Sequence, residues 1–233
     1  AQESHDFFDP MDVFELEWAS DPQVSPDSKT IVYVRKSHDI MKDKVRSNIW
    51  QIKIDGEDHR PLYSELGNSY SPRWSPNQER LAFLSNNSGS IQIHMYWFKS
   101  GETRAITQLQ ESPSSLSWSP DGKWIAFTMN VKAKSNAIVK SREKPEGATW
   151  AKEPITVTTT RYQYDGRGIV EPSYRHIFVV PAEGGSARQL TTGNFNHYGP
   201  LSWSADSESI FFSAHRSDDW ELSSDEADIF RVY

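Results

Sequence analysis

Ser117-Trp118-Ser119-Pro120-Asp121-Gly122-Lys123 runs directly into the apolar segment Trp124-Ile125-Ala126-Phe127. The phrase has the chemistry of a tight turn. Serine at its first position and aspartate at its third supply local hydrogen bonds, proline at the second presets φ, and glycine suits the fourth. With β-forming residues on both sides, it reads as a hairpin connection between two strands. The phrase recurs. It appears as Pro22-Gln23-Val24-Ser25-Pro26-Asp27-Ser28-Lys29, as Pro72-Arg73-Trp74-Ser75-Pro76-Asn77-Gln78-Glu79, and as Ser202-Trp203-Ser204-Ala205-Asp206-Ser207-Glu208. Each copy leads into a strand: Ile31–Val34, Leu81–Leu84, Trp124–Phe127 and Ile210–Phe212. Repetition at four places assigns the phrase to architecture rather than to chemistry.

The remainder of each unit repeats as well. Third strands are read in Asn48–Ile52, Ile91–Met95, His176–Val180 and Asp228–Val232, and fourth strands in Arg60–Tyr63, Arg104–Thr107 and Arg188–Thr191. Four short strands at a period of 40–50 residues mark the blades of a β-propeller. The expected fold is therefore all-β: a partial propeller of about four four-stranded blades, not closed, preceded by a short helix. The expected organisation is an N-terminal segment over 1–21 and blades over 22–66, 67–110, 111–193 and 194–233, the last incomplete. The turn serines 25, 75, 119 and 204 are spaced 50, 44 and 85 apart. Residues 131–175 hold no further copy of the phrase, so the long third interval reads as an insertion rather than a hidden blade. An unclosed ring leaves strand edges that pair with other chains, so self-association is expected.

The long connections all join second to third strands, at 36–47, 131–175 and 214–227, which places them on one face. Elaborated loops on a rigid scaffold are where partners and substrates are met. The 131–175 segment carries nine basic residues (Lys132, Lys134, Lys140, Arg142, Lys144, Lys152, Arg161, Arg167 and Arg175) against five acids, within a chain of net charge −7. It reads as a solvated arm or as a docking arm for an acidic neighbour. Ile155–Tyr164 reads as extended, with a turn at Asp165-Gly166. Residues 215–226 gather acids around Trp220, either as a solvated loop or as a holder of a cation or an amino terminus. Ahead of the first blade, Asp9 suits an N-cap and Pro10 a first helical turn. Phe14 and Trp18, four apart, would share one helical face.

Catalytic signals are weak. Gly67-Asn68-Ser69-Tyr70-Ser71 and Gly184-Gly185-Ser186-Ala187-Arg188 each depart from the Gly-x-Ser-x-Gly nucleophile pattern and lie in strand or hairpin context. The seven histidines, at 5, 38, 59, 94, 176, 197 and 215, show no metal-binding spacing, and His94 and His176 read as strand residues. Asn86-Asn87-Ser88 matches a glycosylation sequon. Cysteine is absent, which excludes disulfides and thiolate sites. No catalytic, cofactor or metal residue is assigned. Net negative charge disfavours non-specific nucleic-acid binding, and no apolar run has the length to cross a bilayer. Ala1-Gln2-Glu3-Ser4 reads as an end left by leader removal, which favours a periplasmic or secreted location over a cytoplasmic one.

The Ser-Pro-Asp-Gly-Lys phrase at 119–123 joins two further signals, Tyr164-Asp165-Gly166-Arg167-Gly168 and His176–Gly185 running into Arg188-Gln189-Leu190-Thr191. Together with Met11–Tyr33 they resemble the N-terminal propeller of prolyl oligopeptidase family serine peptidases, especially the acylaminoacyl- and dipeptidyl-peptidase-like branches. The resemblance covers nearly the whole chain. It implies a propeller that caps a C-terminal α/β-hydrolase domain, restricts access to a Ser-Asp-His triad and helps select short peptide substrates. It also implies that the N-terminal segment packs on the hydrolase, which would give Phe14 and Trp18 a partner. The family's catalytic residues have no counterpart here, so the expected role is non-catalytic gating. A free-standing protein-binding propeller of the Tol type, which shares the Ser-Pro-Asp-Gly phrase, is the alternative. A glycan-binding or lyase-type propeller is disfavoured, since the acidic and aromatic residues form no repeated site.

Overall fold

The computed structural model describes residues 7–133, 143–151, 157, 159–160, 162–166, 168–217, 219–223 and 226–233. Ala1–Ser4 lie outside this set, as do Lys134, Lys140, Arg142, Lys152, Arg161 and Arg167 of the basic arm and most of Ile155–Arg161. The first sheet holds β1 (Glu17–Val24), β2 (Thr30–Asp39), β3 (Lys44–Lys53) and β4 (Arg60–Tyr63) in that order. The second holds β5 (Ser69–Trp74), β6 (Arg80–Ser85), β7 (Gln92–Trp97) and β8 (Thr103–Ala105). Next come β9 (Pro113–Trp118) and β10 (Trp124–Lys132), a separate small hairpin β11 (Gln163–Tyr164) and β12 (Gly168–Ile169), then β13 (Ser173–Pro181) and β14 (Arg188–Gln189). Strands β9, β10, β13 and β14 form the third sheet. A fourth, three-stranded among the described residues, comprises β15 (His197–Trp203), β16 (Ile210–Ala214) and β17 (Asp228–Val232). The first strands of successive sheets pack on one another, so the four meanders radiate from a common side as propeller blades do.

The repeated phrase makes the same turn each time. The fourth residue donates its N–H to the carbonyl of the leading serine, at Ser28, Gln78, Gly122 and Ser207. All four adopt left-handed φ, between 59° and 69°, the type I turn plus bulge of a short hairpin. The serine side chains do the remaining work. Ser119 Oγ donates to Asp121 Oδ1 at 2.6 Å and accepts from Trp124 N at 2.9 Å. Ser25, Ser75 and Ser204 repeat both bonds.

Glycine fills the fourth position only once, and the side chains in two of the other copies explain why. Gln78 Oε1 accepts from Asp27 N at 3.2 Å, and Ser207 Oγ accepts from Asp121 N at 3.1 Å. Each thus ties its own turn to the turn of the preceding sheet. The tryptophans of the phrase tie sheets in the same direction. The Nε1–H groups of Trp74, Trp118 and Trp203 donate to the carbonyls of Gln23, Arg73 and Ser117 at 3.0–3.2 Å.

Between sheets lie three apolar clusters, one for each consecutive pair, centred on Phe83, Phe127 and Phe212. Each sheet places an aromatic cross-strand pair at one register: Tyr33↔Trp50, Phe83↔His94, Phe127↔Phe178 and Phe212↔Phe230. Fully burying a side chain of this size contributes roughly 1.5–3 kcal/mol.

The expected short N-terminal helix is present, and two narrower expectations, the shared helical face of Phe14 and Trp18 and the 36–47 loop, are corrected. The helix is a 3-10 segment, Pro10–Glu15, with Asp9 and Asp12 forming a capping box. It stops because Leu16 is extended and Glu17 already pairs with Ser37 in the first sheet. Trp18 therefore stands in β1, and it meets Phe14 through a third ring: both contact His38, at 5.3 and 6.2 Å. Residues 36–47 are largely not a loop, since β2 and β3 continue their ladder out to Asp39↔Lys44.

Candidate functional site

The outer ends of β2–β3, β10–β13 and β16–β17 all point to one face. The start of β1 lies there too, because Glu17 pairs with Ser37 near the end of β2. This face carries an apolar surface made by the N-terminal segment and the β2–β3 tip. Phe7 is 87% and Met41 88% exposed, and Phe8, Met11, Leu16, Trp18 and Ile40 are also open to solvent.

On the same face, a cleft of about 440 Å³ lies between the blade-three insertion and the segment after β16. Its insertion wall includes Tyr164, Glu171 and Tyr174; the opposite wall includes His215, Trp220 and Glu221. Asn130, Arg175 and Tyr198 also line it. Described residues of the 131–175 insertion and of the 215–226 segment, read separately from sequence, are thus brought together. Glu221 Oε2 accepts from Thr160 N at 3.0 Å and Thr160 Oγ1 at 2.6 Å. The Tyr174 and Trp220 rings meet edge to face at 6.1 Å. Lys132 Nζ and Glu171 Oε2 pair at 2.9 Å across the root of the insertion, which holds the lysine above and the carboxyl below their ordinary ranges. Burial, with a smaller push from Glu221, raises the Tyr174 phenol.

Beneath the cleft, Asn196 Oδ1 accepts from Arg175 N at 2.9 Å. Asn68 repeats the device between the first two sheets, accepting from Ser47 N at 2.9 Å. His197 and His176 are buried at this level with their rings 5.1 Å apart, and the exposed Arg216 reaches His197 from the surface. Sequence reading did not single out His197 or Arg216. They are 19 residues apart with no periodic spacing, and only the β15–β16 pairing brings them together.

The other singled-out residues have structural places. Ser69 opens β5, buried, and donates to Ser85 Oγ at 3.1 Å. Gly184 and Gly185 form the turn after β13 with positive φ. The Asp165-Gly166 turn joins β11 to β12, with Gly166 at φ 71°. The Asn86 side chain of the sequon accepts from Asn68 N at 2.7 Å and is committed to the blade junction. His94 and His176 lie in β7 and β13. Among the described residues, no group of three His, Cys, Asp or Glu is placed to hold a metal. Asp218 and Asp225 of the acidic patch lie outside the described residues. No helix among the described residues is long and apolar enough to cross a membrane.

The cleft presents aromatic faces and hydrogen-bonding groups on both of its walls. Comparisons with known proteins agree with this architecture. The chain is 30% identical over 205 residues to the "Uncharacterized peptidase YuxL" of Bacillus subtilis, covering 88% of this chain and 30% of that protein. It is 24% identical over 217 residues to Dipeptidyl-peptidase 5 of Porphyromonas gingivalis, covering 86% and 30% respectively. The chain therefore spans about 30% of the length of these curated relatives. Among solved structures, acylaminoacyl peptidase from Pyrococcus horikoshii superposes with a TM-score of 0.72 at 17% identity, over 97% of this chain and 32% of that one. A family model described as the TolB beta propeller domain matches residues 17–150, more than half of the sequence, and the chain belongs to that family.

Proposed function

We propose that this chain is the non-catalytic propeller of a serine peptidase and that its loop face meets both the hydrolase domain and the peptide substrate. One observation carries the reading: the blade-three insertion, the cleft, the Trp220 segment and the apolar N-terminal surface all occupy a single face. The exposed Phe7, Phe8, Met11 and Met41 have the character of a surface covered by a partner. The aromatic cleft on the same face suits a short extended peptide on its way to a catalytic centre. The similarity to proteins named as peptidases supports the same assignment. The acidic patch fits a positioning role better than capture of an amino terminus, because Glu221 already ties Thr160 of the insertion to its own segment.

The test is an active-site-serine probe applied to extracts of the source organism, followed by capture with an antibody raised against this domain. The expected product is labelled and far heavier than 233 residues allow. An unlabelled product the size of this chain would replace the reading with a free-standing protein-binding propeller.

A further inference from the structure

His197 opens β15 and is fully buried, and both of its ring nitrogens are engaged. Nδ1 lies 2.8 Å from the Arg175 carbonyl oxygen, which only accepts, so Nδ1 carries the proton. Nε2 lies 2.9 Å from the Arg216 guanidinium, which only donates, so Nε2 is bare. The two contacts require the neutral imidazole. Arg175 stands where the chain leaves the insertion and enters β13. Arg216 follows β16, at the root of the segment that carries Trp220 and Glu221. His197 thus joins the two walls of the cleft from below. The Arg216 guanidinium also lies over the Phe230 ring, at 4.3 Å.

We propose that His197 and Arg216 form an acid-opened latch that holds the Trp220 segment against the blade-three insertion. A proton added at Nε2 turns the acceptor into a donor and sets an imidazolium against a guanidinium. Among the charged groups that face His197, Arg216 opposes its protonation. His176 of β13 stacks at 5.1 Å, Arg216 approaches from beyond β16, and Arg175 holds its own guanidinium over Tyr198 at 5.9 Å. Phe212 of β16 presents only its ring.

Burial keeps the His197 imidazole below its ordinary pKa, opposed by its bond to the Arg175 carbonyl and reinforced by the Arg216 charge. Burial, then His197 and Arg216, lower His176 to about 4. Both histidines are therefore neutral when the cluster is closed, and an opened form binds protons more readily below pH ~6.5. The closed form loses stability as pH falls, so the latch holds at neutrality and opens in acid.

The test follows backbone hydrogen exchange across this chain at pH 7 and pH 4.5, corrected for the intrinsic rate. Protection of the segment after β16 is expected to fall about tenfold or more in acid, as suits loss of a hydrogen bond to a charged group. Protection of β6 and β7 is expected to hold. His197→Gln keeps an amide donor and acceptor without titrating, and should reduce the acid response to the part that His176 carries. Arg216→Met, at an exposed position, should release the segment already at pH 7 and show no further change. An acid-insensitive segment, a loss spread equally over β6 and β7, or an Arg216→Met variant like the wild type would each overturn the latch. The latch regulates the cleft invoked above, but its readout needs no peptide, so failure of the peptidase reading leaves this result standing.

Discussion

The indole of Trp118 donates to the carbonyl oxygen of Arg73 across 3.0 Å, joining the inner strand of the third sheet to that of the second. Trp74 and Trp203 make the same bond one sheet before and after. Trp118→Phe keeps an aromatic ring but removes the donor, leaving a partly buried carbonyl without its partner. The expected cost is roughly 1–3 kcal/mol, the range for an orphaned polar group. Urea unfolding of the chain checks it, and a midpoint equal to wild type would show that the bond is dispensable.

The turn aspartates make folding depend on acid. Asp27, Asp121 and Asp206 all lie below the usual carboxylate range, first because the turn serine donates to each and second because a backbone N–H does. A depressed carboxylate contributes stability that is present above its unfolded pKa, near 3.8, and is lost as pH falls through the folded value. The second turn supplies a natural comparison, since Asn77 accepts from Ser75 at 2.8 Å without titrating. Asp121→Asn should therefore cost some stability at pH 7 and move the acid-unfolding transition to lower pH. Circular dichroism between pH 6 and pH 2 reads both effects. Superimposable acid transitions would remove the turn carboxylate from the account.

Backbone conformation, not space, restricts the fourth turn position. A Cβ on Gly122 would meet only Pro76 Cδ, at 3.8 Å, an ordinary contact. Its φ of 69° is nevertheless a left-handed value. Gly122→Ala should destabilise by about 1–2 kcal/mol, the penalty of left-handed backbone for a residue with a Cβ. Gln78→Ala, where strain is already present, should cost about 0.5–1.5 kcal/mol through loss of its bond to Asp27 N. Paired denaturation curves separate the two causes. A Gly122→Ala variant as stable as wild type would contradict the backbone argument.

Blades and turns were legible in the sequence because their chemistry repeats: serine, proline and an acceptor recur before β-forming runs. The bonds between sheets were not. Gln78 and Ser207 look like poor substitutes for glycine until the neighbouring turn is beside them. Residues 36–47 looked like a loop because the hairpin they form is solvated and carries no buried stripe to alternate with its polar residues. Composition marked both Tyr174 and Trp220 as lying in notable segments. Their meeting depends on how the insertion folds back over the next blade, which no local signal encodes. The four-residue spacing of Phe14 and Trp18 suits a helix face as well as a strand entry, so it does not by itself place Trp18 in β1.

One departure within the aromatic series yields the sharpest stability test. His94 occupies the register position held by Trp50, Phe178 and Phe230 in the other sheets, packed 5.6 Å from Phe83. It is 5% exposed, and neither ring nitrogen has a hydrogen-bond partner among the described residues. Burial alone lowers its pKa, so the neutral ring is the folded form and acid weakens the site. His94→Phe removes two unsatisfied polar atoms and restores the pairing seen in Phe127–Phe178. The variant should gain about 1–3 kcal/mol at pH 7, the cost of an unsatisfied buried group. It should gain more at pH 5, where the unfolded-state histidine takes up a proton. Thermal unfolding at both pH values measures this. A variant less stable than wild type would mean that His94 has a hydrogen-bonding role the packing does not display.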